Sequence, residues 1–183
     1  IDYTPDKWPF IIMEYINGIT LGNYLADQPD PFTPRKAVNL GILLCRALQH
    51  AHSRGVIHRD IKPSNIMITN KDKITKSSNI KICDFGLAGL LENQMLIKNN
   101  PGLSTGGIIG TFDYMAPEQR QRKKADERTD IYSLGVVLYE MLTKTVPLGF
   151  FEKPGEINPD IPPELDAIII KTLQRNPKKR FQN

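Results

Sequence analysis

The chain is poor in cysteine. Its 183 residues hold only Cys45 and Cys83, 38 positions apart and in no CxxC pair, which argues against a disulfide scaffold or a structural zinc site and fits a reducing, cytoplasmic setting. Long apolar runs are missing too. The longest, such as 135–138 and 167–170, fall far short of the roughly 18 residues of a membrane span. No basic stretch leads into an apolar core at Ile1-Asp2-Tyr3-Thr4-Pro5-Asp6, so no signal peptide is expected there, and without an initiator Met the chain reads as starting inside a longer protein. No repeat of about 20–50 residues is visible, and the only biased stretch is polar, around 69–79. Charge bias is also slight. The 24 Lys+Arg against 20 Asp+Glu give +4, spread along the chain, so nucleic-acid binding is permitted but not implied.

What remains is ordinary globular composition, 40% apolar and 24% charged, in a chain long enough to bury roughly 70% of its unfolded surface in one core. The apolar run 10–13 suits a buried strand, ended by the turn signal Asn17-Gly18. Thr33-Pro34 is an N-cap with Pro at N1, and Ala37, Leu40, Gly41, Leu44, Leu48 and Ala51 follow at helical spacing, predicting a helix over 34–54 that Gly55 stops. Thr20 is a candidate N-cap for a helix over 21–26. Val56-Ile57, 66–68 and 80–82 are short β-prone runs. From Leu87 to Pro117 periodicity is weak, as in long functional loops. Helical pattern returns over 130–142, with Ile131, Leu134, Val137, Leu138 and Met141 on one face. It returns again from Pro162-Pro163 to Leu173, with Leu165, Ile168, Ile169 and Leu173 inward. The predicted class is mainly α, α+β with few short strands.

The densest chemistry lies in His58-Arg59-Asp60-Ile61-Lys62-Pro63-Ser64-Asn65. A carboxylate to take or orient a hydroxyl proton, an ammonium against a transferred phosphoryl and an amide oxygen for Mg²⁺ are what phosphoryl transfer needs. Taken alone, the same letters fit a solvated polar loop. They are followed by Asp84-Phe85-Gly86 after a predicted strand, and then by Ala116-Pro117-Glu118.

In this order and spacing the three motifs resemble the protein kinase catalytic domain, with Ile61 where the family pattern has Leu. The resemblance implies that Asp60 is the catalytic base, that Asn65 and Asp84 hold Mg²⁺ (Mn²⁺ as the alternative metal), and that Lys62 contacts the γ-phosphate of ATP. Lys62 and Thr111 together look like the serine/threonine branch. His58 and Phe85 would stack, and Gly86 would let Asp84 swing. Met13-Glu14-Tyr15-Ile16 resembles the hinge, Met13 as gatekeeper and the backbone of Glu14 and Ile16 facing adenine, with Met67 beneath the ring and Thr20 near ribose. Asp130 resembles the buried acid that holds the catalytic-loop backbone. Glu118 and Arg180 resemble a buried ion pair, and Arg59 suggests a pocket for a phosphate on Ser104 or Thr105.

The corresponding partition of 1–183 is a hinge at 13–18, a catalytic loop at 58–65, an activation segment at 84–118 and a helical subdomain at 119–183. His50 and His52, two apart on a helix, are a surface and a packed histidine and not a metal pair. Cys83 reads as a small buried hydrophobe, and Arg120, Arg122, Lys123 and Lys124 as a solvated basic face. No G-x-G-x-x-G-x-V and no V-A-I-K-type lysine occur in the 183 residues. The expectation is therefore a kinase-like C-lobe without its N-lobe sheet, bacterial-like, with little turnover alone. Its implied partners are the remaining lobe of the same polypeptide and a protein substrate with a Ser/Thr acceptor, with no nucleic acid and no membrane contact by this segment, a cytoplasmic domain whose full-length protein could be membrane-tethered. The alternative is a non-catalytic pseudokinase or scaffold.

Overall fold

A computed structural model describes residues 2–3, 6, 9–10, 12–69, 80–85 and 112–183. Strand β1 (Asp2–Tyr3) pairs antiparallel with β2 (Pro9–Phe10). A second sheet has the order β3 (Ile19–Thr20), β4 (Ile66–Ile68), β5 (Ile80–Ile82), all antiparallel, with Thr20 opposite Met67 and Ile66 opposite Ile82. The helices among the described residues are α1 (Leu21–Ala26), α2 (Pro34–His52), α3 (Pro117–Arg120), α4 (Glu127–Thr143), α5 (Pro154–Ile157) and α6 (Pro163–Thr172).

The helix starts follow from their caps. The Thr20 hydroxyl accepts from Asn23 N (3.1 Å) and the Thr33 hydroxyl from Lys36 N (3.4 Å), with Pro34 opening α2. Helix α2 turns Ala37, Leu40, Leu44 and Leu48 into the core, and at Gly41 an added Cβ would stand 3.1 Å from the Leu138 side chain. Helix α4 lies at the centre. Instead of a single apolar face it buries every residue from Tyr132 to Tyr139, because α2 packs on one side and α6 on another. Gly135 is where α6 crosses, since a Cβ there would lie 2.0 Å from the Thr172 hydroxyl oxygen. Lys144 ends α4 in the left-handed region (φ 61°), and its Nζ donates to the carbonyls of Leu25 (2.6 Å) and Gln28 (2.7 Å).

Five expectations need correction. The run 10–13 is not a buried strand: β2 stops at Phe10, and Ile12 and Met13 are 86% and 66% exposed, because a strand is buried only where a neighbouring strand or layer covers it. Val56-Ile57 is not a strand either. Gly55 (φ 71°) turns the chain, Val56 N donates to Ala51 O (3.1 Å), and the His58 amide just beyond is taken by the Asp130 side chain instead of a ladder. Ile168 is 47% exposed, on the flank of the stripe made by Leu165, Ile169 and Leu173. Cys83 is only half-buried, while α2 ends at His52 and not at residue 54. Both cysteines are free. Gly86, Ser104, Thr105 and Thr111, and most of the predicted long loop, lie outside the described residues. Among the described residues no helix is long and apolar enough to cross a membrane.

Candidate active site

The site is built on the turn that joins α2 to β4. Asp130, fully buried on α4, receives His58 N at 2.9 Å on Oδ2 and Arg59 N at 2.8 Å on Oδ1. These two bonds hold a turn in which Arg59 adopts φ 67°, a conformation a non-glycine residue keeps only when its surroundings enforce it. Gln119, beside Ala116-Pro117-Glu118, donates to Arg59 O at 2.8 Å and ties the same turn to α3.

Inside the turn, the Asp60 carboxylate lies 2.8 Å from Lys62 Nζ and 3.0 Å from Asn65 Nδ2, and Asn65 Nδ2 also donates to Asp60 O at 2.8 Å. Pro63–Asn65 form a single 3-10 turn that carries Asn65 back over Asp60. The amide NH₂ of Asn65 is spent on Asp60, which leaves Oδ1 as the oxygen able to accept a bond or ligate a cation. Asn65 O accepts from Cys83 N (2.8 Å), which brings the chain just before Asp84 onto the loop. Asp84 is exposed, in the left-handed region at φ 64°.

His58 connects the two segments. Its Nδ1 accepts from Asp60 N (3.2 Å), which makes Nε2 the protonated nitrogen, donating to Cys83 O at 2.7 Å. Its ring meets Phe85 with centroids 4.5 Å apart, tilted by 60°. Burial, and then the Asp84 charge, push the Cys83 thiol above its ordinary pKa. Arg59 Nε is buried and finds no hydrogen-bond partner among the described residues.

The cleft edge is thinner. Glu14 forms an ion pair with Lys81 of β5, which tethers the exposed residues 12–15. Ile16, Thr20 and Met67 are half-buried beside one another in sequence or register, with Thr20 acting as the cap of α1. Surface cavities of about 490 Å³ and 430 Å³ lie elsewhere, one on α6 and one between α3 and residues 175–177; neither is lined by Asp60, Asn65 or Asp84.

Beneath the site, Arg180 grips Glu118 through two bonds of 2.7 and 2.8 Å and also donates to the carbonyls of Gln174 and Arg128. Burial would raise the Glu118 pKa, but Arg180, its own backbone amide and Thr129 outweigh it and hold the carboxyl below its usual value. Three contacts that the sequence did not point to complete the frame: Gln119 to Arg59, Tyr114 OH to Glu140 (2.6 Å), and His52 Nε2 to Asp130 Oδ2 (2.8 Å). Burial and the Glu140 bond push the Tyr114 phenol far above its ordinary pKa. His50 is exposed and takes Arg54, as a surface histidine does, and Arg120, Arg122, Lys123 and Lys124 are exposed.

Metal chemistry can be tested on the donors. Among the described residues no group of three His, Cys, Asp or Glu forms, which does not suit zinc. A carboxylate and an amide oxygen do suit Mg²⁺, a hard cation usually held by one or two protein oxygens plus substrate phosphates and water.

A buried acid clamps a strained turn on a helical floor, with carboxylate, ammonium and amide converging inside it. The chain belongs to the protein kinase domain family, whose profile matches residues 3–182. It is 38% identical over 188 residues to the serine/threonine-protein kinase PknB of Mycolicibacterium smegmatis, covering 95% of this chain and 28% of that protein. It is 34% identical over 193 residues to a probable serine/threonine-protein kinase of Clostridium perfringens, covering 98% of this chain and 26% of that one. The chain thus spans about a quarter of the length of these bacterial relatives. The crystal structure of the PknI kinase domain of Mycobacterium tuberculosis superposes with a TM-score of 0.69 at 26% identity, over 93% of this chain and 60% of that chain. The fold is a kinase C-lobe.

Proposed function

We propose that this chain is the large lobe of a serine/threonine protein kinase that moves the γ-phosphoryl group of ATP to a Ser or Thr hydroxyl of a protein. The observation that carries the reading is the Asp60 carboxylate held between Lys62 Nζ (2.8 Å) and Asn65 Nδ2 (3.0 Å) on a turn anchored by Asp130. Asp60 accepts and orients the hydroxyl proton of the acceptor, and Lys62 supplies positive charge beside it. Asn65 Oδ1 and the Asp84 carboxylate would hold Mg²⁺, or Mn²⁺ in its place; the ion neutralises phosphate charge when bound. The backbone of Glu14 and Ile16 offers a polar edge to adenine, with Met13, Thr20 and Met67 around the nucleoside. Arg59, Ser104 and Thr105 belong to control of the loop by phosphorylation, and Thr111 and Gly86 to its substrate and metal ends. The glycine-rich loop and lysine that these 183 residues do not contain would come from the same polypeptide, acting in the cytoplasm.

The test is transfer of radiolabel from ATP with Mg²⁺, using a longer protein that includes the preceding lobe, its Asp60→Asn variant, and this chain alone. The longer protein should label itself or a generic basic protein, Asp60→Asn should lose about 10²–10⁴-fold, and the 183-residue chain should show little transfer. If the longer protein labels nothing, the catalytic reading fails and the scaffold reading takes its place.

A further inference from the structure

The Asp130 carboxylate makes three contacts, and only one of them can change its charge. Its two oxygens receive the amides of His58 and Arg59, and Oδ2 also meets His52 Nε2 at 2.8 Å. Asp130 is fully exposed to neither water nor a Lys or Arg: it is 0% accessible and its sole ion-pair partner among the described residues is His52. His52 sits in the last turn of α2 with its side chain mostly covered, at 11% exposure. The charged groups on elements packed against it are few. Helix α4 contributes Asp130 and Glu127, the loop contributes His58 and Arg59, and β5 contributes Lys81, whose Nζ is engaged by Glu14.

We propose that His52 is a positioning residue for the Asp60 loop, acting through Asp130, and that its protonation state sets how firmly the His58 and Arg59 amides are held. A buried carboxylate with no fixed cation is costly, and an imidazolium at 2.8 Å offsets that cost. Protonated, His52 locks the Asp130 side chain in the orientation that keeps Arg59 at φ 67°. Neutral, it leaves a hydrogen bond without the charge, and the two amides share the carboxylate alone. The consequence travels along bonds already described: through His58 Nδ1 to the Asp60 amide and through His58 Nε2 to Cys83 O, one residue before Asp84.

The direction of titration agrees with this geometry. The Asp130 hydrogen bond raises the His52 pKa above its ordinary value, with burial opposing and the charges of Asp130 and Glu127 adding to the rise. A raised histidine pKa means that the stabilisation is fully present below the ordinary histidine value and is lost as pH rises through the folded-state value.

The role of the loop rests on the kinase reading, but the coupling does not, so the experiment measures the coupling directly. The chain has only three histidines, so proton–nitrogen NMR of the labelled 183-residue chain from pH 5.5 to 8.5 can follow the His52 ring beside the backbone amides. The expected result is a His52 midpoint above the ordinary histidine value, and His58 and Arg59 amide shifts that move with the His52 midpoint. In His52→Gln, which keeps a donor but cannot ionise, those amides should stop titrating while circular dichroism stays native. Amides of His58 and Arg59 that ignore pH while His52 titrates would overturn the proposal, as would unchanged titration of these amides in His52→Gln. Absence of phosphoryl transfer by the longer protein would sink the kinase reading and leave this measurement standing.

Discussion

Helix α4 and the stretch 12–15 are both rich in apolar side chains, yet α4 buries Tyr132 through Tyr139 while Ile12, Met13 and Tyr15 stand mostly in solvent. The difference is not hydrophobicity but supply of neighbours. Helix α4 is enclosed by α2, by α6 and by the 3-10 turn Phe112–Tyr114, and polar groups at its start, Asp130 and Thr129, find partners in that enclosure. Among the described residues, 12–15 are tethered by the Glu14–Lys81 pair, at an exposed position. Stability therefore resides in the helical floor, and the cleft edge waits for a ligand or another layer to cover it.

That contrast can be broken most severely at Arg180. Truncation by Arg180→Ala leaves Glu118 charged and buried and should cost about 3–5 kcal/mol in urea unfolding. Its pH signature follows from Glu118, whose pKa is held low in the folded state. The contribution is present above the ordinary glutamate value and fades as pH falls through the lower folded-state value, so Glu118→Gln should lose stability at neutral pH yet flatten the acid limb of a stability–pH curve. Leu44→Ala, in the seam between α2 and α4, should cost about 2–4 kcal/mol by the same measurement. Gly135→Ala should cost about 1–3 kcal/mol by pushing a Cβ into Thr172, and adding Thr172→Ala should recover part of it. Met13→Ser should change stability by no more than about 0.5 kcal/mol; a loss near that of Leu44→Ala would mean that the cleft edge is packed after all.

Much of the floor could be read from letters, because its signals are local. Thr20, Thr33 and Pro34 announce helix starts within four residues of where their effects are felt, and Ala37 to Leu48 repeat at the helical period. The convergence of Asp60, Lys62 and Asn65 on one turn has the same local origin, since they lie within six positions of one another. What stayed hidden is non-local. His52 and Asp130 are 78 positions apart, Gln119 and Arg59 are 60 apart, and Tyr114 and Glu140 are 26 apart; no spacing rule links them. Ile12 and Ile168 failed for a related reason: an apolar letter states what a side chain prefers, not whether anything arrives to cover it.

The Lys144 ammonium reaches the carbonyl of Leu25 in the last turn of α1 and that of Gln28 just beyond it, from 119 and 116 positions away. During synthesis at about 5–20 residues per second, ~6–24 s would separate the emergence of α1 from that of the lysine that ties its end to α4. The seam between the end of α1 and the end of α4 is therefore a long-range closure, of the kind that slows folding.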